Sequence, residues 1–429
     1  MSNLSDLKSK RRPKKPPCQN PIDAAVLTWL REAPQELRKL LAAQAPRRWT
    51  VYEPMVLLPA GSFGTEAWAA ALQESGPQGA NDLWQSILAG VSQKAGKKGE
   101  LLTHLAVNEG IPLHAGETEE VRAPEGGSTG NDSNVMRSPS GLRLLYGDFG
   151  PRTPAAPDGG NCTAEDFERA LWVSTRQNGI YQTWAPRWTM FSRGNIKEKA
   201  RLLDFHHRRP DRGEDNEEQL SHRNTIPSSK LGSAWAVDLY AGIGYFVFSY
   251  AKQGMRVLGW EINPWSVEGL RRGAKGNGWS VKVVQGPELV RPMAEILAGE
   301  EQIIVFLEDN AHAERRIRDL RADGGGLDVL HVNCGLLPKS DVVWGDAWDI
   351  AGDESERTWL HLHENVGVAD IDQRKGEIEK WFTELSTHEK NQKQVRHVRV
   401  EHVELVKTYA PGVWHCVFDV YIQRSSSIL

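Results

Sequence analysis

One short segment, residues 238–244, constrains the fold of this chain more than any other. It reads Asp-Leu-Tyr-Ala-Gly-Ile-Gly and closes an apolar run that is typical of a buried parallel strand. Gly242 and Gly244 allow a tight turn and a close approach to a ligand, because neither residue carries a Cβ atom. A helix at residues 245–253 and a second strand at residues 256–260 are predicted to follow. The segment therefore predicts the first strand–turn–helix–strand unit of a ligand-binding sheet.

Glu261 stands directly after the second predicted strand and narrows the choice of ligand. An acid at this place accepts hydrogen bonds from the ribose hydroxyls of an adenosine cofactor. A dinucleotide site usually has a third glycine three residues after the second, but here that position is Val247. S-adenosylmethionine has no pyrophosphate and tolerates an apolar first turn, so it is the predicted cofactor and a nicotinamide oxidoreductase is disfavoured. The residues expected to bind it are Asp238, Gly242, Gly244 and Glu261. A glycine turn with a purely conformational role is the alternative.

Composition excludes several other classes of protein. The chain has 429 residues, enough for two or three domains, and its four cysteines have no spacing typical of zinc sites or disulfide frameworks. We expect neither a metal nor a secretory signal, and a reducing, cytoplasmic location. Asp238 and several glycines interrupt the longest apolar stretch, so no membrane span is expected. The net charge of −4 argues against indiscriminate nucleic-acid binding but allows a local basic face.

The chain divides by composition into four predicted parts. These are a basic, disordered tail at residues 1–20, an accessory α+β domain at 21–150 with a flexible insertion at 116–140, a connecting segment at 151–232 with a charged insertion at 206–230, and a catalytic domain at 233–429. The tail is most simply a solvated segment, with a nuclear address or an RNA-binding arm as alternatives. The sequence gives no indication of oligomeric state.

Strand and helix patterns alternate from residue 234 onward. Seven strands are predicted, at residues 234–240, 256–260, 281–285, 327–332, 358–363, 398–406 and 414–422, and residues 287–305 are interpreted as an insertion. Alternation of this kind predicts a parallel sheet with helices on both faces, and the short last connection predicts an antiparallel edge hairpin. The expected fold class is therefore α/β, a seven-stranded, Rossmann-like class I S-adenosylmethionine-dependent transferase domain with an accessory α+β domain. Ligands bind beyond the carboxyl ends of such strands. Residues expected at or just after strand ends are Gly242, Glu261, Asp309, Asn333 and His363.

Five segments together resemble one family. They read FSRGN at 191–195 followed by Glu198-Lys199, VDLYAGIGYF at 237–246, EINP at 261–264, HVNCGLLP at 331–338 and LHLHENV at 360–366. The chain is similar to the fungal type of the tRNA wybutosine-synthesising protein 2 family, which transfers the 3-amino-3-carboxypropyl group of S-adenosylmethionine to a modified guanosine. The glycine turn is shared with many methyltransferases, and the F-S-x-G-N-x-x-E-K segment narrows the choice. The resemblance is strong from residue 181 onward and thin before it.

The resemblance implies further cofactor contacts and an acceptor. Ser192 and Lys199 belong to the F-S-x-G-N-x-x-E-K segment, and the lysine is expected to pair with the carboxylate of the methionine portion. Asp309 and Asn310 match an acid–amide pair on the adenine side. The implied acceptor is 4-demethylwyosine at position 37 in the anticodon loop of phenylalanine tRNA, and methylthioadenosine is the implied leaving product. Because the electrophile is already charged, positioning is expected to supply most of the rate.

Three residues are candidates for work on the acceptor base: Asn333, just after the fourth predicted strand, and His361 and His363, in the fifth. Asn333 is expected to orient a swung-out base, with a turn-capping role as the alternative. His361 and His363 share a strand face without a third metal ligand at useful spacing, so hydrogen bonding or packing is favoured over a metal site. Either imidazole could receive a proton from the base carbon, and the sequence does not choose between them.

RNA contact is expected from local clusters of basic residues. Arg193 and Lys197 are the best candidates because they flank the proposed cofactor segment. Two other functions stay open: a tRNA guanine-37 methyltransferase, whose middle domain and sheet are similar, and a non-catalytic RNA-binding protein with the same fold.

Overall fold

The computed structural model describes residues 20–95, 101–109, 139, 141–151, 162–206, 226–352, 354–388 and 394–426. These residues form two compact units, and the main boundary between them lies between Asp148 and Phe149. The predicted tail, except Asn20, and the predicted insertion at 116–140, except Pro139, lie outside the described residues. Of the charged insertion at 206–230, only residues 206 and 226–230 are described. The domain boundaries proposed above, including the start of the catalytic domain at residue 233, stay a prediction.

The first unit combines three helices with a small mixed sheet. Its elements are α1 (Pro21–Trp29), α2 (Gln35–Gln44), β1 (Thr50–Tyr52), β2 (Met55–Leu58), α3 (Glu66–Ala95), β3 (His104–Asn108) and β4 (Leu142–Tyr146). The side chain of Asn20 caps α1 by accepting the Ile22 N–H, which satisfies one of the free amides of the first turn. Helix α3 is interrupted at Gly76, followed by Pro77. Trp68 and neighbouring apolar side chains form the core of this unit.

The second unit is built on an eight-stranded sheet. Its strands are β7 (Trp235–Asp238), β8 (Arg256–Glu261), β9 (Val281–Val284), β10 (Ile303–Leu307), β11 (Val329–Cys334), β12 (Arg357–Gly367), β13 (Gln394–Ala410) and β14 (Val413–Ser426), and their order is β13-β14-β12-β11-β7-β8-β10-β9. In this spatial order, the six neighbouring strands β12, β11, β7, β8, β10 and β9 are parallel. The β13–β14 hairpin extends the sheet at one edge, where β14 pairs antiparallel with β12. The predicted class, a Rossmann-like α/β transferase sheet with an antiparallel edge hairpin, is confirmed.

Two details of the predicted sheet are wrong. The expected count of seven strands misses β10, because the insertion assigned to residues 287–305 runs into it. Its five apolar residues lie between β8 and β9 and pair in parallel with both. His363 was expected at a strand end but lies inside β12, since pairing with β14 continues through Gly367.

Helices cover both faces of this sheet. The remaining elements are α4 (Ala164–Arg169), the β5–β6 hairpin (Val173–Gln177 and Ile180–Trp184), α5 (Ile196–Leu203), α6 (Ser228–Leu231), α7 (Val247–Lys252), α8 (Pro264–Asn277), α9 (Met293–Leu297), α10 (Ala313–Ala322), α11 (Trp344–Ala351) and α12 (Ile371–His388). Apolar residues of α5 to α8 form one core and those of α9 to α12 the other, so the central strands are buried on both sides. Within the described residues, no helix combines the length and apolarity that crossing a membrane requires.

Candidate functional site

The turn after β7 has the backbone that its glycines predict. Gly242 and Gly244 have φ angles of 53° and 89°, in the left-handed region that L side chains avoid. A Cβ atom on Gly244 would lie 2.5 Å from the ring of Phe248. The Gly242 N–H donates to Oε2 of Glu261 over 2.9 Å, so the turn is tied to the acid at the end of β8. Two elements that were predicted to bind the cofactor, the glycine turn and Glu261, are therefore in direct contact.

Glu261 is half-buried and held by backbone amides on both oxygens. Besides the bond from Gly242, its Oε1 accepts the Asn263 N–H over 2.8 Å. Burial raises the pKa of Glu261 to about 7, against the opposing effect of these two amides. Each carboxylate oxygen can accept a second hydrogen bond. The side chain is thus fixed in place and keeps the capacity to accept two hydroxyl donors.

Asp238 and Asn333 are neighbours on β7 and β11 and are bonded to each other. Asn333 donates from Nδ2 to Oδ1 of Asp238 over 3.1 Å, and the same oxygen accepts the Tyr240 N–H. Burial raises the pKa of Asp238 to about 6. Oδ2 of Asp238 and Oδ1 of Asn333 are buried without a hydrogen-bond partner among the described residues. Asn333 is completely buried, so its contact with a base is not visible in this structure and stays a prediction.

The predicted acid–amide pair follows β10, the strand that the sequence analysis missed. Asp309 is exposed and caps a short 3-10 turn by accepting the Ala311 N–H over 2.9 Å. Asn310 donates from Nδ2 to the Leu239 carbonyl over 2.8 Å. This bond connects the loop after β10 to the residue that follows β7, next to the glycine turn. Both residues therefore lie at the carboxyl edge of the sheet, where ligands of such folds bind.

Lys199 is a buried cation on α5, with 2% of its surface exposed. Its ammonium donates to the side-chain oxygens of Gln177 and Gln182 and lies 5.3 Å from the centre of the Tyr245 ring. Burial lowers the pKa of Lys199 to about 8. Its burial distinguishes it from a solvent-facing helix lysine. No carboxylate among the described residues lies within 4.0 Å of its ammonium.

Ser192 connects the F-S-x-G-N-x-x-E-K segment to the glycine turn. Its N–H donates to Oη of Tyr245 over 2.7 Å, and that hydroxyl donates to the Met190 carbonyl over 2.9 Å. Its own hydroxyl accepts a hydrogen bond from Nζ of Lys407 over 3.2 Å. Lys407, on β13, also packs over Gly194, where its side chain leaves no room for a Cβ atom. The sequence analysis missed Lys407, because it lies 215 residues from Ser192 and in no local motif.

Buried histidines form a hydrogen-bonded chain across β11, β12 and β14. His206 contacts His331 over 2.8 Å, His331 contacts Nε2 of His361 over 2.9 Å, and Nδ1 of His361 contacts Asp419 over 2.8 Å. Both ring nitrogens of His331 and of His361 are therefore occupied. The chain ends at Arg201, whose guanidinium pairs with Asp419. The predicted role of His361 in hydrogen bonding is what the geometry shows.

His363 differs from His361 because one of its nitrogens has no partner. Nδ1 bonds to Nε2 of His415 over 2.9 Å, whereas Nε2 is buried without a partner among the described residues. Burial and the neighbouring His415 lower the pKa of His363, so the ring is neutral at pH 7. The ring centre lies 5.1 Å from that of Phe246, in the first turn after the glycines. Of the two predicted proton acceptors, His363 is the one with a nitrogen available to a ligand.

Comparison with curated proteins identifies the family. The chain is 37% identical over 381 residues to the tRNA wybutosine-synthesizing protein 2 of Schizosaccharomyces pombe, covering 87% of this chain and 72% of the relative. It is 31% identical over 404 residues to the protein of that name from Saccharomyces cerevisiae, covering 87% and 74%. The chain belongs to the tRNA wybutosine-synthesizing protein 2 family. The resemblance found in its motifs is therefore confirmed. No family model matches the chain.

A solved structure agrees with the fold of this family. The TYW2 protein of P. horikoshii, in complex with MeSAdo, matches with a TM-score of 0.50 and 16% identity. The match covers 94% of this chain and all of the other. At this identity the likeness concerns the fold, which is that of an S-adenosylmethionine-dependent transferase.

The residues predicted to contact RNA differ in their surroundings. Lys197 is paired with Glu404 at 2.6 Å and donates to the Leu405 carbonyl, although 58% of its side chain is exposed. Arg193 is exposed, in the 3-10 turn between Ser192 and α5. Both lie on the exposed surface of the segment that also carries Ser192 and Lys199. In the part of the chain that the structure describes, no group of three or more His, Cys, Asp or Glu side chains is placed to hold a metal ion.

Proposed function

We propose that this chain transfers the 3-amino-3-carboxypropyl group of S-adenosylmethionine to 4-demethylwyosine at position 37 of phenylalanine tRNA, in wybutosine synthesis, and releases methylthioadenosine. The observation that carries the proposal is the glycine turn bonded to Glu261 in a chain of the tRNA wybutosine-synthesizing protein 2 family. The turn brings backbone without a Cβ atom to the carboxyl edge of the sheet, and the fixed carboxylate can accept two ribose hydroxyls.

The remaining cofactor contacts are assigned by chemistry. Asn310 and Asp309 are proposed to bind the adenine side, and Ser192 and Lys199 the amino-acid portion of the cofactor. Lys199 supports this assignment because a buried ammonium without a carboxylate partner is costly, and an incoming carboxylate would compensate it. Asp238 is also expected to bind the cofactor, through negative charge near the sulfonium. The residues present therefore fit S-adenosylmethionine.

S-adenosylmethionine supplies a charged sulfonium that activates the carbon to be transferred. The protein contributes orientation: Glu261 and the glycine turn fix one end of the cofactor, and the cations beside Ser192 fix the other. Nε2 of His363, on a neutral ring and without a partner among the described residues, is proposed to accept the proton that the base carbon loses. Asn333 is proposed to orient the base, either directly or through Asp238.

The proposed partner is the anticodon loop of phenylalanine tRNA. Arg193 and Lys197 are proposed to contact its phosphates, because they are the exposed basic residues of the segment that also carries Ser192 and Lys199. We further propose a cytoplasmic location. The three described cysteines, Cys162, Cys334 and Cys416, are all free thiols, as expected in a reducing compartment. Imaging of the tagged chain tests the location, and a purely nuclear signal would contradict it.

The function is tested by reacting the purified chain with S-adenosylmethionine and phenylalanine tRNA from cells that lack the carboxypropyl step. We expect mass spectrometry of the digested tRNA to show a carboxypropyl adduct at position 37, with methylthioadenosine formed in equal amount. A methyl adduct and S-adenosylhomocysteine would instead indicate the guanine-37 methyltransferase. Absence of both products, together with intact tRNA binding, would indicate a non-catalytic RNA-binding protein.

A further inference from the structure

Two lysines that contact residues 191 and 192 have no carboxylate partner among the described residues: Lys407 donates to the Ser192 hydroxyl, and Lys199 lies over the Phe191 ring. Lys199 reaches the site from α5, and Lys407 reaches it from β13 of the edge hairpin. Among the described residues, neither ammonium has a carboxylate within 4.0 Å. A buried ammonium without an anionic partner loses hydration at a cost, so both side chains indicate that an anionic ligand group binds here.

Lys407 has fewer hydrogen-bond acceptors around its ammonium than Lys199. Lys199 donates to two glutamine oxygens, whereas the hydroxyl of Ser192 is the one hydrogen-bond acceptor that Lys407 has within the described residues. An ammonium carries three N–H donors, so two donors of Lys407 stay available. Burial lowers the pKa of Lys407, as expected for a half-buried ammonium without an anionic partner among the described residues.

The surroundings of Lys407 place it on the cofactor side of the hairpin. Its cross-strand partner is His415, which bonds to His363 beside the Phe246 ring. Its hydroxyl partner, Ser192, is connected through Tyr245 to the glycine turn. Lys407 is thus linked by two separate sets of contacts to the residues that follow Gly244.

We propose that Lys407 joins Ser192 and Lys199 in binding the carboxylate of the amino-acid portion of S-adenosylmethionine and so positions the chain that is transferred. This inference rests on the proposed function and adds a residue that no local motif marks. Anchoring the carboxylate at the edge hairpin fixes the far end of the aminocarboxypropyl group, while Glu261 fixes the ribose. The carbon between these two anchors is then held in one orientation.

The test compares Lys407→Met with the wild-type full chain by calorimetric titration of three ligands. S-adenosylmethionine has the carboxylate, decarboxylated S-adenosylmethionine lacks only that group, and methylthioadenosine lacks the whole amino-acid chain. We expect Lys407→Met to weaken binding of S-adenosylmethionine by about 10- to 100-fold, as for loss of a charge-assisted hydrogen bond. Affinity for the other two ligands should stay within about twofold of wild type, because neither presents a carboxylate to Lys407.

Lys282→Met is the matched control, because Lys282 is also partly buried and donates to one oxygen, the Ile296 carbonyl. It should leave all three affinities unchanged. Equal loss for all three ligands in Lys407→Met would show a structural role for Lys407 and overturn the inference, as would unchanged binding of S-adenosylmethionine. A different result would contradict the proposed function itself: wild-type chain that binds no S-adenosylmethionine or forms no carboxypropyl adduct.

Discussion

Replacing Glu261 by glutamine is expected to weaken S-adenosylmethionine binding about 100-fold. The carboxylate would accept two charge-assisted hydrogen bonds from the ribose, each worth about 1.5–3 kcal/mol. Glutamine has one acceptor oxygen, and its NH₂ group would face either the Gly242 or the Asn263 N–H, both of which now donate to the carboxylate. Isothermal titration with S-adenosylmethionine and with methylthioadenosine measures the loss, which should be similar for both because both carry the ribose.

Glu314→Gln is the control for this substitution. Glu314 lies on α10 and pairs with Arg318, so the change removes the same charge away from the glycine turn. Its affinity for both ligands should equal that of wild type. Binding by Glu261→Gln within about twofold of wild type would contradict the assignment of Glu261 to the ribose.

Replacing Asp419 by asparagine is expected to destabilise the second unit by about 3 kcal/mol. Asp419 is buried and receives two hydrogen bonds from Arg201 and one from Nδ1 of His361. The substitution leaves the buried guanidinium with Glu198 as its closest anion, and it turns an NH₂ group toward donors. Urea unfolding followed by circular dichroism gives the change in the free energy of unfolding.

The pKa of Asp419 agrees with this large contribution. Burial alone would raise the pKa, but Arg201 and His361 outweigh it and hold the pKa well below the usual range. A carboxylate with a depressed pKa stabilises the fold above the unfolded value of about 4, and this stabilisation is lost as the pH falls further. The benefit is therefore fully present at pH 7.

Asp319→Asn serves as the matched control. Asp319 pairs with Arg315 at 3.7 Å on the surface of α10, and both side chains are more than 60% exposed. Removing an exposed pair should change the free energy of unfolding by less than about 1 kcal/mol. Equal effects of the two substitutions would show that the buried ion pair contributes no more than a surface pair.

The parts of the site that the sequence predicted are those encoded over short distances. The glycine turn and Glu261 follow from spacing within 24 residues, and the edge hairpin follows from two long strands around Pro411 and Gly412. Strand β10 also has a local signal, five consecutive apolar residues, which is typical of a fully buried strand. It was missed because residues 287–305, which include its first three residues, were interpreted as an insertion.

The parts that the sequence did not predict depend on contacts between distant segments. Lys407 meets Ser192, and Asp419 meets Arg201, across more than 200 residues. Neither residue lies in a motif, and their positions follow from the hairpin packing against α5 and the turn before it. The same is true of the free nitrogen of His363, which is distinguished from His361 only by the partners that β14 and β11 supply.

The most direct test of this account is a crystal structure of the chain with S-adenosylmethionine bound. We predict the ribose hydroxyls on the carboxylate of Glu261 and the adenine beside Asn310. The carboxylate of the cofactor should lie within hydrogen-bond distance of Lys199, Lys407 and Ser192. A cofactor bound away from Gly242 and Gly244, or a turn closed by the ring of Phe246 at saturating cofactor, would contradict it.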